Sequence, residues 1–269
     1  MNNKEIYDFY ENGAEIGRLE RGLGVIEAAR TKELLARYIK PGMTVFDVGG
    51  GIGYYSDWLA SMGCTVSLYE LAPSAVRYAI DHQTVPYHAE PADARSLPAE
   101  EESCDALLLM GPLYHLTGKQ DRLKALGEAR RVLRHGGLLI ATGISKFSSA
   151  TWALSTYRTA NDFIDDETYM DMLRGELTTG EHHRPEKYPH FIAEAYFHTP
   201  EGFSDELKEA GFAIGDMLAI EGIIWPTPDL NAKWEDISSH ERLLELLRLT
   251  ESEPSVLGYS PHFMAIASK

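Results

Sequence analysis

Four glycines and two acidic residues form the chemically most informative pattern in this chain of 269 residues. Asp47 lies inside a short apolar run, the glycines follow at positions 49, 50, 51 and 53, and Glu70 ends the next apolar run. Glycines let a ligand lie against the backbone, and a helix that begins there presents free N–H groups to it. An acid at the end of the second strand can accept hydrogen bonds from both ribose hydroxyls. The pattern predicts a nucleotide site.

The glycine spacing disfavours a nicotinamide dinucleotide as the ligand. Such sites usually carry a G-x-G-x-x-G pattern, but the frame that starts at Gly49 and Gly51 ends at Tyr54. Asp47 also stands within the strand, where a buried carboxylate is costly unless loop N–H groups or a bound cation satisfy it. A nicotinamide oxidoreductase is therefore the less favoured interpretation.

Five segments, in the same order along the chain, resemble the class I S-adenosylmethionine-dependent methyltransferases. They are residues 46–53, Glu70, residues 92–98, residues 104–116 and residues 130–140. The resemblance covers residues 40 to 145 well and the rest weakly. It implies an α/β fold, with a doubly wound, mostly parallel seven-stranded sheet whose last strand runs antiparallel between strands five and six.

The resemblance implies S-adenosylmethionine as cofactor and assigns roles around the loop. Gly49, Gly51 and Gly53 are expected close to its methionine part and ribose. Asp47 is expected to order the loop and receive the cofactor ammonium, or alternatively to act only as a structural cap. Glu70 is expected to hold the ribose diol, unless it is a solvated acid at the end of a strand.

A second group is expected around the adenine and the sulfonium. Asp93 would accept a hydrogen bond from the adenine amino group beside the backbone N–H of Ala94, although a turn aspartate is the alternative. Leu71 would pack on the adenine face. Met110 would lie beneath the sulfonium, and Tyr10 belongs to an N-terminal segment that often folds over the cofactor in relatives.

The acceptor side offers Tyr114 and His115 as catalytic candidates, because they follow the fourth strand at the edge that borders the reacting methyl group. His115 has the chemistry of a general base near neutral pH, but a packed histidine bonded to a carbonyl explains it equally well. Tyr114 could shape the pocket or bond to the acceptor. For Arg18, contact with the cofactor carboxylate competes with simple salt bridging to Glu15 or Glu20.

The pattern predicts no metal site. His182 and His183 are adjacent and therefore face different directions on a regular element, and no third ligand stands at a suitable spacing. The two cysteines, Cys64 and Cys104, lie in or beside apolar runs and are expected to be buried free thiols.

Composition restricts the partners. The formal net charge is −16 and the pI about 5.0, which disfavours nucleic acid and anionic membrane surfaces as partners. No apolar stretch has the roughly 20 residues that a membrane span needs. The first residues also lack the apolar core of a signal peptide. We therefore expect a cytoplasmic protein; the oligomeric state is not predicted.

Periodicity divides the chain into four parts. Residues 1–40 are expected to form an N-terminal helical cover, and residues 41–145 the cofactor-binding half of the α/β core. Residues 146–199, rich in aromatics, are expected to be a helical lid inserted after strand five. Residues 200–269 complete the core. Three elements of the α/β core are predicted with bounds: a third strand near 85–89, a helix that ends at Gly136-Gly137, and a sixth strand at 214–223.

These features predict a methyltransferase that acts on a nitrogen, an oxygen or possibly a carbon of a small metabolite. A non-catalytic protein that binds S-adenosylmethionine or S-adenosylhomocysteine is one alternative. A methyltransferase of peptide termini is another.

Overall fold

A computed structural model describes residues 15–155, 163–189 and 191–269. Nine strands lie in these ranges: β1 Thr44–Val48, β2 Thr65–Glu70, β3 His88–Pro91, β4 Cys104–Leu109, β5 Leu133–Ile144, β6 Glu181–His182, β7 Ala195–Tyr196, β8 Ala213–Ala219 and β9 His262–Ser268. The α-helices of these ranges are α1 Gly24–Tyr38, α2 Tyr54–Ser61, α3 Pro73–His82, α4 Pro112–His115, α5 Lys119–Val132, α6 Ser148–Ser155, α7 Glu167–Thr179, α8 Pro200–Glu209, α9 Leu230–Glu235, α10 Ile237–Thr250 and α11 Pro254–Leu257.

Seven of the strands form one sheet in the order β3-β2-β1-β4-β5-β9-β8. The strands from β1 to β5 pair in parallel, while β9 pairs antiparallel with both β5 and β8. This confirms the predicted α/β fold, including the last strand between strands five and six. The strand order reverses beside β1, so the carboxyl ends of β1 and β4 open a crevice at that edge.

Both faces of the sheet are buried, and successive residues of the central strands serve opposite faces. In β4, Leu107 packs on the side of α5 and α8, whereas Leu108 packs on the side of α1 and α2. Phe263 and Met264 of β9 divide in the same way. This is why these strands read as continuous apolar runs rather than as alternating ones.

Three predicted boundaries were wrong. The helix expected to stop at Gly136-Gly137 ends at Val132, because Leu133 is already extended (φ −69°, ψ 136°) and begins β5. Gly136 instead provides a left-handed residue (φ 73°) within that strand, where the pairing with β4 shifts register. The third strand lies at His88–Pro91, later than expected, and β8 ends at Ala219.

Residues 146–199 are helical in part, through α6, a 3-10 turn at Phe163–Asp165 and α7. They also contain the two-stranded sheet of β6 and β7, which the sequence did not indicate. The following helix, α8, begins with the Thr199 hydroxyl accepting a hydrogen bond from the Gly202 N–H at 3.0 Å. The role of this region as a lid remains a prediction.

Both cysteines are buried and unpaired, as expected. Burial raises the pKa of Cys104 to about 12 and also raises the pKa of Cys64. Across the described ranges, every helix is too short or too polar to cross a bilayer.

Two glycines make a matched test of the packing. A Cβ on Gly143 of β5 would lie 2.7 Å from the Phe263 ring, whereas a Cβ on Gly127 of α5 would meet nothing within 4 Å. We expect Gly143→Ala to lower the free energy of unfolding by about 1–3 kcal/mol. Gly127→Ala should raise it by about 0.5–1 kcal/mol, because alanine favours a helix over glycine. Urea unfolding measures both, and a stable Gly143→Ala protein would contradict the packing of Phe263.

Candidate cofactor site

The loop after β1 needs its glycines for two different reasons. Gly49, Gly51 and Gly53 have φ values of 73°, 57° and 81°, in the left-handed region that other residues rarely adopt. Gly50 does not, but a Cβ on it would lie 2.4 Å from an Asp47 carboxylate oxygen. The loop therefore wraps around Asp47, and α2 begins directly after it.

Asp47 is buried beneath this loop, with 1% of its surface exposed. The Ser56 hydroxyl, from the first turn of α2, donates a hydrogen bond to its carboxylate at 2.7 Å. Burial raises the pKa of Asp47 to about 6, with the charge of Glu70 adding to it and the hydrogen bonds from Ser56 opposing it. The carboxylate joins the end of β1 to the start of α2.

Glu70 lies at the end of β2 and is also buried. Its two oxygens accept hydrogen bonds from the Gly51 N–H at 3.0 Å and the Ala72 N–H at 2.9 Å. Burial raises the pKa of this carboxyl, against the opposing effect of those backbone donors. The Leu71 N–H also contributes a hydrogen bond, and a carboxylate has about four acceptor sites, so one remains for a ribose hydroxyl. Leu71, directly after Glu70, is 39% exposed and thus open to a flat ligand.

A cavity of about 70 Å³ lies between the glycine loop and residues 15–20. Of the predicted residues, Asp47, Gly49, Gly51, Met110 and Tyr114 line it. Glu70, Leu71, Asp93, Ala94 and His115 are not among its lining residues. Cavities that enclose whole ligands are usually about 300–1,000 Å³, so this space holds only part of a nucleoside while residues 15–20 stay in place.

Arg18 closes the cavity from the N-terminal side. Its guanidinium donates to Glu15 at 2.9 Å and, through both terminal nitrogens, to Glu27 at 2.7 and 3.0 Å. Burial opposes the charge, but Glu27 and Glu15 outweigh it and raise the pKa of Arg18. Salt bridging to Glu15, one of the predicted alternatives, is thus present, and Glu27 is an additional partner.

Glu27 belongs to a buried network that the sequence did not reveal. His262 donates from Nδ1 to Glu221 at 2.7 Å, and Glu221 also accepts from the Ser260 hydroxyl at 3.1 Å. Burial opposes protonation of His262, yet the charges of Glu221 and Glu27 raise its pKa to about 9. Ligand atoms of Glu27, Glu221 and His262 lie within 4.8 Å of one another. The prediction that no metal is used is untested by this geometry.

Tyr114 and His115 occupy different surroundings. Tyr114 lines the cavity and its hydroxyl donates to the Met110 carbonyl at 3.4 Å, while burial raises its pKa. His115 is hydrogen-bonded to the main chain of Glu194, and burial lowers its pKa to about 4. The structure therefore gives Tyr114 access to a ligand in this cavity and packs His115 behind it, which corresponds to the packed-histidine alternative.

Asp93 is engaged by a neighbour. Its carboxylate accepts from the Arg95 guanidinium at 2.6 Å and from the Arg95 backbone N–H at 2.9 Å. Arg95 lowers the pKa of Asp93 through these hydrogen bonds. The structure thus shows the turn aspartate that was the alternative, and contacts of Asp93 and Ala94 with adenine remain predictions. Tyr10 lies outside the described residues.

The paired histidines after α7 have separate partners, as their adjacency predicts. His182 is buried and its Nδ1 lies 2.6 Å from Glu176, whereas His183 is exposed and its Nδ1 lies 2.6 Å from Glu194.

Comparison with known proteins identifies the domain. Residues 46–141 match the family model described as "Methyltransferase domain". Residues 46–141 therefore carry a methyltransferase domain. It is 29% identical over 137 residues to a ubiquinone biosynthesis O-methyltransferase of Xanthomonas campestris pv. campestris, covering 49% of this chain and 55% of the relative. It is 31% identical over 106 residues to the human probable tRNA methyltransferase 9B, covering 38% and 21%. The chain thus spans about half or less of these relatives.

Solved structures agree on the methyltransferase fold. A putative S-adenosylmethionine-dependent methyltransferase from Listeria monocytogenes superposes with a TM-score of 0.60 at 17% identity, covering 91% of this chain and 98% of that one. A methyltransferase from Methanosarcina mazei gives 0.59 at 19% identity, covering 88% and 96%. Identities this low establish the shared fold and nothing about the substrate.

S-adenosylmethionine fits the residues of the methyltransferase domain. The cavity wall combines backbone without Cβ atoms with the acids Glu15, Glu20 and Asp47, which suits a ligand that carries a sulfonium and an ammonium. Arg18 uses three of its five N–H donors on Glu15 and Glu27. No described residue accepts from the other two, which can bond to a carboxylate.

Asp47 generates a pH-dependent prediction. Its pKa of about 6 exceeds the ordinary value of 3.8, so between these values the folded protein holds a proton that the unfolded chain has released. Its contribution therefore makes stability fall as pH rises from about 4 to about 6. The change in unfolding free energy that Asp47→Asn causes should be about 1–3 kcal/mol more favourable at pH 7.5 than at pH 4. The same substitution should weaken cofactor binding.

Urea unfolding of both proteins at the two pH values measures the difference. Asp205→Asn, at an exposed position of α8, is the control, and its effect on the unfolding free energy should be the same at both pH values. An effect of Asp47→Asn that does not change with pH would contradict a buried, protonatable Asp47.

Proposed function

We propose that the chain transfers a methyl group from S-adenosylmethionine to a nitrogen, oxygen or carbon of a small metabolite. The observation that carries this proposal is the cavity in which the glycine loop of β1 faces Met110 and Tyr114 at the end of β4. In a sheet of this order the crevice at the carboxyl ends of the strands is where ligands bind.

Each side of the crevice has a part in this reaction. When bound, S-adenosylmethionine supplies an electrophilic methyl group whose sulfur departs as a neutral thioether once the carbon bonds to the acceptor. Glu70 and the loop N–H groups hold the nucleoside, and Arg18 and Asp47 hold the amino-acid end. Tyr114 excludes water and orients the acceptor. Alignment of this kind can supply up to about 7–11 kcal/mol of a barrier.

Charge supports a small acceptor over a polynucleotide. One relative is named a tRNA methyltransferase, and one similar structure, at a TM-score of 0.59 and 17% identity, is a Haloferax volcanii complex with the Trm112 activator. The present chain has a formal net charge of −16, which opposes binding to a phosphate backbone. A small uncharged or cationic metabolite meets no such barrier.

Glu70→Gln tests cofactor binding. The amide places an NH2 group against the Gly51 or Ala72 N–H and removes the charged acceptor, so we expect at least tenfold weaker binding of S-adenosylhomocysteine. Calorimetry measures it. Glu90→Gln, on the adjacent strand β3 at a carboxylate that pairs with His88, is the matched control. Unchanged affinity in Glu70→Gln would refute its ribose contact.

His115→Gln separates a role in the acceptor pocket from a role in binding the cofactor. His115 packs behind Tyr114 rather than on the wall of the cavity, so turnover should fall by a larger factor than S-adenosylhomocysteine affinity. Because its pKa is lowered to about 4, His115 stays neutral between pH 6 and 8. It should contribute no ionisation to the rate profile there.

Release of S-adenosylhomocysteine during a screen of small acceptors provides the assay. Binding without release for every acceptor would instead favour a non-catalytic binding protein.

A further inference from the structure

A second cavity, of about 250 Å³, opens among aromatic side chains beside the methyltransferase crevice. Its wall brings together residues from six separate parts of the chain. They include Leu23 before α1, Trp152 of α6, Tyr169 of α7, Phe191 and Ile192 between β6 and β7, and Trp225 after β8. The function proposed above gives this cavity no role.

Packed side chains connect the two cavities. Tyr114 lines the cofactor cavity and packs against the cluster that contains Phe197, which lines the second cavity. The N-terminal segment connects them as well, because Leu19 lines the first cavity and Leu23 the second. The second cavity therefore adjoins the side of the crevice at which Tyr114 lies.

Two ring pairs of the wall meet edge to face, and a third pair, His182 and Phe197, is stacked. Trp152 and Phe191 meet at 88° with centroids 6.0 Å apart, and Tyr169 and Phe191 meet at 78°, also 6.0 Å apart. Such an arrangement turns both ring edges and ring faces toward a cavity, and a planar aromatic ligand can stack on one while meeting the other edge-on.

Two polar side chains of the wall bond to one buried carboxylate, that of Glu176. His182 Nε2 lies 3.0 Å from the Ile192 carbonyl, which can only accept, and its Nδ1 lies 2.6 Å from Glu176. The Ser149 hydroxyl donates to the same carboxylate at 3.0 Å. None of the described lining residues is an aspartate, a glutamate, a lysine or an arginine.

We propose that this cavity binds a small, neutral molecule built on a planar aromatic ring. If the proposed function holds, on which this second step rests, that molecule is the methyl acceptor. The described lining residues offer no charged side chain to pair with an ammonium or a carboxylate, whereas the aromatic rings favour a flat apolar surface.

Calorimetry on the full chain with four probes of matched size tests the chemistry of the site. The probes are naphthalen-2-ol, its saturated analogue decahydronaphthalen-2-ol, naphthalen-2-yltrimethylammonium and naphthalene-2-carboxylate. Naphthalen-2-ol should bind at least tenfold more tightly than each of the others. Equal binding of the saturated probe, or tighter binding of either charged probe, would overturn the proposal.

Filled-cavity variants test the location. Ile192→Trp and, from the opposite part of the chain, Leu23→Trp should each weaken naphthalen-2-ol binding at least tenfold and leave S-adenosylhomocysteine affinity within twofold. Leu154→Trp, on α6 at a side chain that is 63% exposed, is the control and should bind like the unmodified chain.

Undiminished naphthalen-2-ol binding in either filled variant that folds would overturn the proposed location. Failure of one proposal can be told from failure of the other, because naphthalen-2-ol binding is measured without the cofactor. If the unmodified chain fails to bind S-adenosylhomocysteine while naphthalen-2-ol still binds, the proposed function is wrong and the ring site stands.

Discussion

A carboxylate buried under a loop of backbone is the constraint around which the methyltransferase crevice is organised. Asp47 leaves no room for a side chain at Gly50, and the three left-handed glycines follow from turning the chain over it. Its bond to Ser56 fixes where α2 begins. The same turn brings the Gly51 N–H to Glu70, so the ends of β1 and β2 are set by one local arrangement. An ionised group in such a place costs free energy, which is tolerable where it prepares a site for a cationic ligand.

A second arrangement ties the N-terminal segment to the opposite end of the chain. Arg18 lies over the glycine loop and is held by Glu27 of α1, whose other charged neighbour is His262 of β9. Glu221 completes the set from the end of β8. Isolated charges at this depth would be unstable, but two acids and two bases satisfy one another. The part of the chain that covers the crevice is thereby linked, through Glu27 of α1, to β9 beside the edge strand β8.

The predictable features are those that depend on neighbours in sequence. The apolar runs and the glycine loop predicted the sheet and its cofactor edge, because each is decided within a few residues. The network of Glu27, Glu221 and His262 could not be foreseen, since no motif links residues so far apart. Asp93 was ambiguous for a local reason: Arg95 competes for its carboxylate, and sequence does not rank the two partners. The strands β6 and β7 are two residues long each, which is too short to show the alternation of apolar and polar residues that predicts a strand.

The two thiols occupy positions that differ in what must open before a reagent reaches them. Cys104 begins the central strand β4 with no exposed surface, and its sulfur faces the Val132 carbonyl at the end of α5. Cys64 lies at the entrance to β2 with 9% exposed, against the Lys40 carbonyl. Alkylation of Cys64 requires only local fraying of a loop, whereas alkylation of Cys104 requires the centre of the sheet to separate. One protein thus contains two internal reporters, one of breathing at its margin and one of complete unfolding.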